Sequence, residues 1–291
     1  NPSLVASTDG ATAAAIWRGG SSINVVIGHV VSGTMTWGTV DTLFTGPPTG
    51  AASTSIAMTP DGTRVAVAWE APPDGTFQND VYVRIGTVSG TSVTWDAAAT
   101  MWDESSSAAA LTPLVAISTD GLKAAVAWTK RANVTFDCTT TIVVGSATNT
   151  TPPVWSWGTP TRYVDGYNSN GNPPKLLQLT PESSAGVLIS QTKRQSTGSP
   201  SYLVGRPFTT SINNSISLGD ETTIATNGYF PEVKFDSSVS KYIATWSTGT
   251  SLQVTMGNLR DNALSVQSAT TIYASSATVV TPHAVLADDA S

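Results

Sequence analysis

The segment LVAISTDGLKAAVAW, residues 114–128, joins two apolar runs through Ser-Thr-Asp-Gly and ends on a tryptophan. Nearly the same phrase stands twice earlier, as LVASTDGATAAAIW at 4–17 and SIAMTPDGTRVAVAW at 55–69. In each, a tryptophan follows the glycine by seven residues: Trp17 after Gly10, Trp69 after Gly62 and Trp128 after Gly121. Apolar runs on both sides of Asp-Gly form a tight hairpin. Glycine takes the positive φ that such a turn requires, and Asp9, Asp61 and Asp120 tolerate the position before it. Small Ala and Val at successive positions suit strands packed on both faces.

Two weaker copies follow. KLLQLTPESSAGVLISQ (175–191) has Glu182-Ser183 at the turn and Gln191 in place of the tryptophan, and EVKFDSSVSKYIATW (232–246) has Asp236-Ser237 and ends on Trp246. After each hairpin a third strand runs to a glycine: Gly28, Gly86, Gly145, Gly205 and Gly257. A fourth strand follows, with Trp37, Trp95 and Trp157 in the first three copies and SISLGDETTI and ALSVQSATTIY in the last two. Each unit therefore carries four strands, A to D, and no segment sustains a helical period. Repeated four-stranded units of this length predict an all-β β-propeller. The expected architecture is one domain over 1–291. Its units are 1–49, 50–109, 110–171, 172–228 and 229–280, with 281–291 as an extra C-terminal strand.

The A–B hairpin also resembles a known family. A strand, Pro-Asp-Gly or Thr-Asp-Gly, a second strand and a Val-Tyr-Val-like third strand look like the TolB-type, WD40-like propeller repeat, with MTPDGTRVAVAW the closest copy. The resemblance runs through all five units and is specific in the first three. It implies the fold and very little of the function, because propellers host lectins, hydrolases and scaffolds alike. A sialidase Asp-box would place one residue between Asp and Gly. Here they are adjacent, so sialidase activity is not carried over.

Only 12% of the 291 residues are charged, and the formal net charge is -6. Low charge with abundant Ser, Thr, Ala, Gly and Val suits an extracellular or cell-surface protein. The acidic balance argues against nucleic acid and anionic lipid as partners, which need a basic face. No apolar run approaches the roughly 20 residues of a membrane span, so no membrane insertion is expected. No signal peptide is visible, so a secreted form would be a mature or excised chain. Cys138 is the single cysteine, which rules out an intrachain disulfide and reads as a buried or half-buried thiol, with an intermolecular disulfide as the sharper alternative. Asn133, Asn149 and Asn213 begin N-glycosylation sequons, which matter only where the source glycosylates secreted proteins.

The last residues, TPHAVLADDAS (281–291), read like the opening of a sixth unit. Pro282 matches Pro113, and Val285-Leu286-Ala287 matches an A strand. Three readings stand: a segment of a longer protein, a strand that closes its own ring, or an assembly strand that completes a sheet of a neighbouring subunit.

In a propeller the A–B and C–D turns share one face, and the B–C and D–A loops share the other. The second face collects Arg18, Glu70, Lys130, Arg131, Lys193 and Arg194 at the starts of B–C loops. Long loops at 70–80, 129–140 and 191–201 add Phe77 and Phe136, and the D–A connection at 162–174 adds Tyr163, Asp165 and Tyr167. Aromatic rings beside Arg, Asn and Asp can bind a sugar, the ring packing on C–H groups and the polar atoms meeting hydroxyls. These residues form the candidate ligand-binding set. The repeating tryptophans read as packing between blades, and the Asp-Gly aspartates as turn formers.

Catalytic signals are weak. His29 and His283 are the only histidines, and spacing assembles no Ser-His-Asp triad. No Cys/His cluster has zinc spacing, and no phosphate loop or EF-hand loop occurs, so no cofactor or metal is expected. A carboxylate pair for glycoside hydrolysis would draw on Glu70, Asp74 and Asp165. The expected role is a non-enzymatic interaction or structural module of an extracellular or surface protein. Its partner would be a protein, a glycan or, through the C-terminal strand, itself. The alternative is a propeller lectin or glycan-active enzyme on the B–C/D–A face.

Overall fold

The computed structural model describes residues 2–46, 53–71, 80–96, 100–102, 108–132, 137–148, 150, 152–167, 174–181, 184–193, 201–227, 229–236, 240–260 and 263–274. The described residues are all-β and form five antiparallel sheets, each built from one unit of the repeat. In blade 1, strand A is Ser3–Ala6, B is Thr12–Gly19 and C is Ser22–Val31. Strand D comes in two pieces, Thr34–Trp37 and Asp41–Thr45, both paired to strand C. The same four-strand order recurs in the other blades. The fold is a β-propeller. The five A strands stand innermost, around a central cavity of about 470 Å³.

The hairpin turn works as its sequence predicts. Gly10, Gly62 and Gly121 have φ of 67°, 71° and 70°. Each preceding aspartate is tied into its own turn: Asp61 accepts from the Thr59 hydroxyl at 2.6 Å and from the Thr63 amide at 3.0 Å. Asp9 and Asp120 repeat the pattern with Ser7 and Ser118. These turns also key one blade to the next. A Cβ at Gly62 would lie 2.9 Å from Thr12, and one at Gly121 would lie 2.6 Å from Arg64, so each turn rests on the start of strand B in the preceding blade.

The break in strand D was not anticipated. Gly38 and Gly158 each still donate one backbone hydrogen bond to strand C, to Ile27 and Val144, and then the chain bends. A side chain at Gly38 would collide with the carbonyl of Thr91, and one at Gly158 with that of Asn214. Both obstacles belong to the C–D turn of the following blade. Strand D therefore bends where its neighbour's turn abuts it.

Four apolar clusters hold the blades together in sequence: 1 with 2, 2 with 3, 3 with 4 and 4 with 5. Trp69 and Trp128 are 1% and 0% exposed, and each sits against the blade before it. Trp69 stacks on Tyr82 with centroids 5.5 Å apart, and Trp128 stacks on Trp102 at 5.4 Å. Trp246 packs likewise between blades 4 and 5, whereas Trp17, on the free side of blade 1, is half-buried. Cys138 is buried.

Blade 4 departs from the expected alignment. In blades 1 to 3 the strand C glycine lies under a strand D tryptophan: Gly28 pairs with Trp37, Gly86 with Trp95 and Gly145 with Trp157. In blade 4 the residue paired to strand D there is Phe208, facing Leu218, and the glycine is Gly186 on strand B. Ser190, four residues past Gly186, therefore holds the tryptophan position, not Gln191, and Gly205 is not the counterpart of Gly28. Blade 5 again has the glycine on strand C, Gly257, with Tyr242 of strand B lying over it.

Candidate functional site

Strand pairing extends into the segments read as loops, and this re-places several candidate residues. Strand B reaches Gly19 in blade 1, Ala71 in blade 2, Ala132 in blade 3 and Lys193 in blade 4. The B–C connections are then tight in blade 1, around Gly20 and Ser21, and in blade 5, at 248–250. In blades 2, 3 and 4 they are 72–79, 133–136 and 194–200, outside the described residues. Phe77, Phe136 and Arg194 fall there, and so do Asp74, Pro282, Val285, Leu286, Ala287 and His283.

Arg18 is exposed at the end of strand B, where its Nε donates to the Gly20 carbonyl at 2.8 Å. Lys130 is half-buried on strand B of blade 3. Next to it, the backbone of Arg131 pairs with Cys138, and strand C then pairs Asp137 with Tyr167 and Thr139 with Asp165. The backbones of Arg131, Asp165 and Tyr167 thus share one end of blade 3, with Arg131 in register with Gly166 and out of phase with Asp165 and Tyr167. Lys193, paired with Ser201, ends strand B of blade 4. The side chains of Arg131, Asp165, Tyr167 and Lys193 lie outside the described part.

Two candidates are corrected. Tyr163 is not a loop residue: it lies on strand D of blade 3, within Thr161–Tyr167, and is 1% exposed in the core between blades 3 and 4. Its hydroxyl donates to the Leu188 carbonyl, with the Arg206 carbonyl 3.1 Å away. Burial pushes its pKa well up. Glu70 is 2% exposed, and its carboxylate accepts the Thr112 amide at 2.6 Å. Thr112 has φ of 50°, a strained value for a β-branched residue, at the bulge of strand A in blade 3. Glu70 thus lies on strand B, not in a loop, and holds an irregular stretch of backbone between two blades.

The central cavity is the second candidate. Its described lining is mostly apolar, Phe235 included, with Ser55, Gln178, Lys175 and Lys234 as the polar members and no carboxylate or histidine among them. Desolvation holds Lys175 below the usual lysine pKa. Lys234 Nζ lies 3.4 Å from Glu232. An acid pair for glycoside hydrolysis is not assembled there. His29 instead lies on strand C beside the start of strand B, its Nδ1 3.2 Å from the Thr12 hydroxyl. Among the described residues no group of three His, Cys, Asp or Glu side chains is placed to hold a metal ion. Among the described residues there is no helix long and apolar enough to cross a membrane.

Sequence reasoning missed a buried ion pair of blade 2 that blade 3 caps through Trp155. Arg64 pairs with Asp96, which also accepts the Trp155 indole N–H at 2.9 Å. The signal was available: Asp96 stands at the strand D break, where blades 1, 3 and 4 have glycine.

The fold and these surfaces define the class, a five-bladed β-propeller region. No protein-family model matches the chain, and no curated protein matches it in sequence. Solved structures do. A functionally unknown protein from Desulfotomaculum acetoxidans aligns over 91% of this chain and 68% of its own, at 11% identity and a TM-score of 0.55. TolB from Acinetobacter baumannii aligns over 90% and 51%, at 13% identity and a TM-score of 0.39. A chain of a nidogen/laminin complex aligns over 88% and 77%, at 11% identity and a TM-score of 0.41. At such identities the likeness is one of fold.

Proposed function

We propose that this chain is a non-enzymatic interaction module of an extracellular or cell-surface protein, holding a protein partner on the B–C/D–A face. The supporting observation is the difference between the two faces. On the A–B side, Asp9, Asp61 and Asp120 spend their carboxylates on their own turns. On the other side, the end of blade 3 carries Arg131 on strand B and Asp165 and Tyr167 on strand D, and the B–C connections of blades 2 to 4 are longer in sequence. The low charge content supports the extracellular assignment. Residues 281–291 act as an assembly strand in the same reading.

A glycan is the second ligand class, favoured by the aromatic, Asp and Arg residues that the sequence places on this face. The test is a quadruple variant with Arg131, Lys193 and Arg194 each changed to Ala and Tyr167→Ala. It is screened beside the unaltered chain on glycan and peptide arrays. The expected result is loss of the ligand with an unchanged melting temperature. Retained binding in that variant overturns the loop-face assignment.

A further inference from the structure

The four interfaces between blades share one construction, and blades 1 and 5 each carry an unused half of it. Each of blades 2 to 5 turns an aromatic-over-glycine face to the blade before it, and blades 1 to 4 turn an aliphatic face to the blade after. In blade 1, Trp37 lies over Gly28 as Trp95 lies over Gly86, yet Trp37 is 47% exposed. Met35 beside it is 37% exposed. On blade 5, Met256 holds the position of Ile27 and Ile85. Those two are 1% and 4% exposed, and Met256 is 50% exposed. Tyr273, paired with Leu252, extends that face and is 55% exposed. Among the described residues, no apolar cluster joins blade 5 to blade 1, although strand A of each lines the same central cavity.

We propose that a further propeller blade seats in the opening between blade 5 and blade 1. Its chemistry is set by the surfaces it must meet: an antiparallel sheet with an aromatic-over-glycine face for Met256 and Leu252, and an aliphatic face for Trp37. Three observations argue for this occupant. Both surfaces are halves of an interface that the chain already makes four times. A second copy fits blade 5 only locally, because its later blades, continuing around the same axis, would run into blade 1. The chain from Desulfotomaculum acetoxidans that shares this fold extends well beyond the matched part. The site lies on the sides of blades and is independent of the loop-face reading.

Methionine oxidation by peroxide tests it, because Met35 and Met256 report natively on the two faces. Peptide mass spectrometry follows both in the chain as it stands and in the same chain with a second copy of residues 50–109 joined to its end. A second version carries a copy of residues 110–171 instead. In the chain as it stands, both methionines oxidise close to their rates in the urea-unfolded protein. The joined blade slows Met256 and raises the melting temperature. Changing Trp69 and Trp95 of the joined copy to Asp abolishes both effects. The proposal is overturned if neither joined copy protects Met256. It is overturned equally if both methionines are already shielded in the chain as it stands, light scattering then separating a second copy from residues 275–291 as the cover.

Discussion

The indole of Trp157 lies over Gly145 so closely that a Cβ on that glycine would sit 2.5 Å from the ring. The absence of a side chain on strand C is what lets the strand D tryptophan lie flat between blades 2 and 3. Gly145→Ala is expected to destabilise the protein by about 1–3 kcal/mol, the usual cost of overpacking a filled core. Gly28→Ala should cost much less, because the exposed Trp37 and Met35 can move aside. Urea unfolding of the two variants checks the difference. Equal losses would mean that Trp37 is as confined as Trp157.

The tryptophans should divide by position. Trp128→Ala removes a fully buried ring stacked on Trp102 and should cost about 3–5 kcal/mol. Trp37→Ala should change stability by no more than about 0.5 kcal/mol, as expected for an exposed site. Both follow from one set of thermal and urea melts.

Arg64 and Asp96 form an ion pair whose side chains are 10% and 2% exposed. Asp96→Ala leaves a guanidinium nearly buried without its carboxylate and frees the Trp155 N–H. The expected loss is about 3–5 kcal/mol, the penalty for breaking one side of a buried pair. A double-mutant cycle with Arg64→Met should recover much of it. Additive losses would show that the pair is not energetically coupled.

Acid should weaken the A–B turns. Burial opposes ionisation of Asp61, but hydrogen bonds from Thr59 and Thr63 outweigh it and hold the carboxyl below the usual aspartate range. At Asp9 the Ser7 hydroxyl and the Ala11 amide act in the same direction. A carboxyl with a lowered folded pKa adds stability that is fully present above the unfolded value of about 3.9 and is lost as pH falls through the folded value. Stability should therefore decline below about pH 4, and Asp61→Asn should flatten that decline. Fluorescence-detected unfolding from pH 6 to pH 2 measures it. An unchanged acid limb in the variant would contradict this assignment.

The hairpins, the strand count and the interblade role of Trp69, Trp128 and Trp246 were legible in the sequence, because each depends on local chemistry repeated in a fixed phrase. What escaped was set by neighbours. The strand D break follows from the next blade's C–D turn, so only the glycine after the tryptophan betrayed it. Tyr163 looked like a loop aromatic because Asp165, Gly166 and the Asn-rich stretch after it mimic a turn. Pairing with strand C carries the strand on to Tyr167 and directs Tyr163 inward. Blade 4 was misaligned because its glycine and its aromatic had each moved one strand inward, to B and C.

That shift bears on how one blade can stand in for another. Gly145 with Trp157, Gly186 with Phe208, and Gly257 with Tyr242 each fill one space with one ring, but the ring is rooted on strand D, C and B in turn. Across these three blades the occupancy recurs, while the strand that bears the occupant differs. Passage from one arrangement to another must cross either a void or a collision. Strands tolerate a void better when neighbours can settle into it, so the path runs through a small-small intermediate. Copying a blade from one place in the ring to another would then transplant not a shape alone but a particular solution to a shared volume, compatible only with a neighbour that leaves the same space empty.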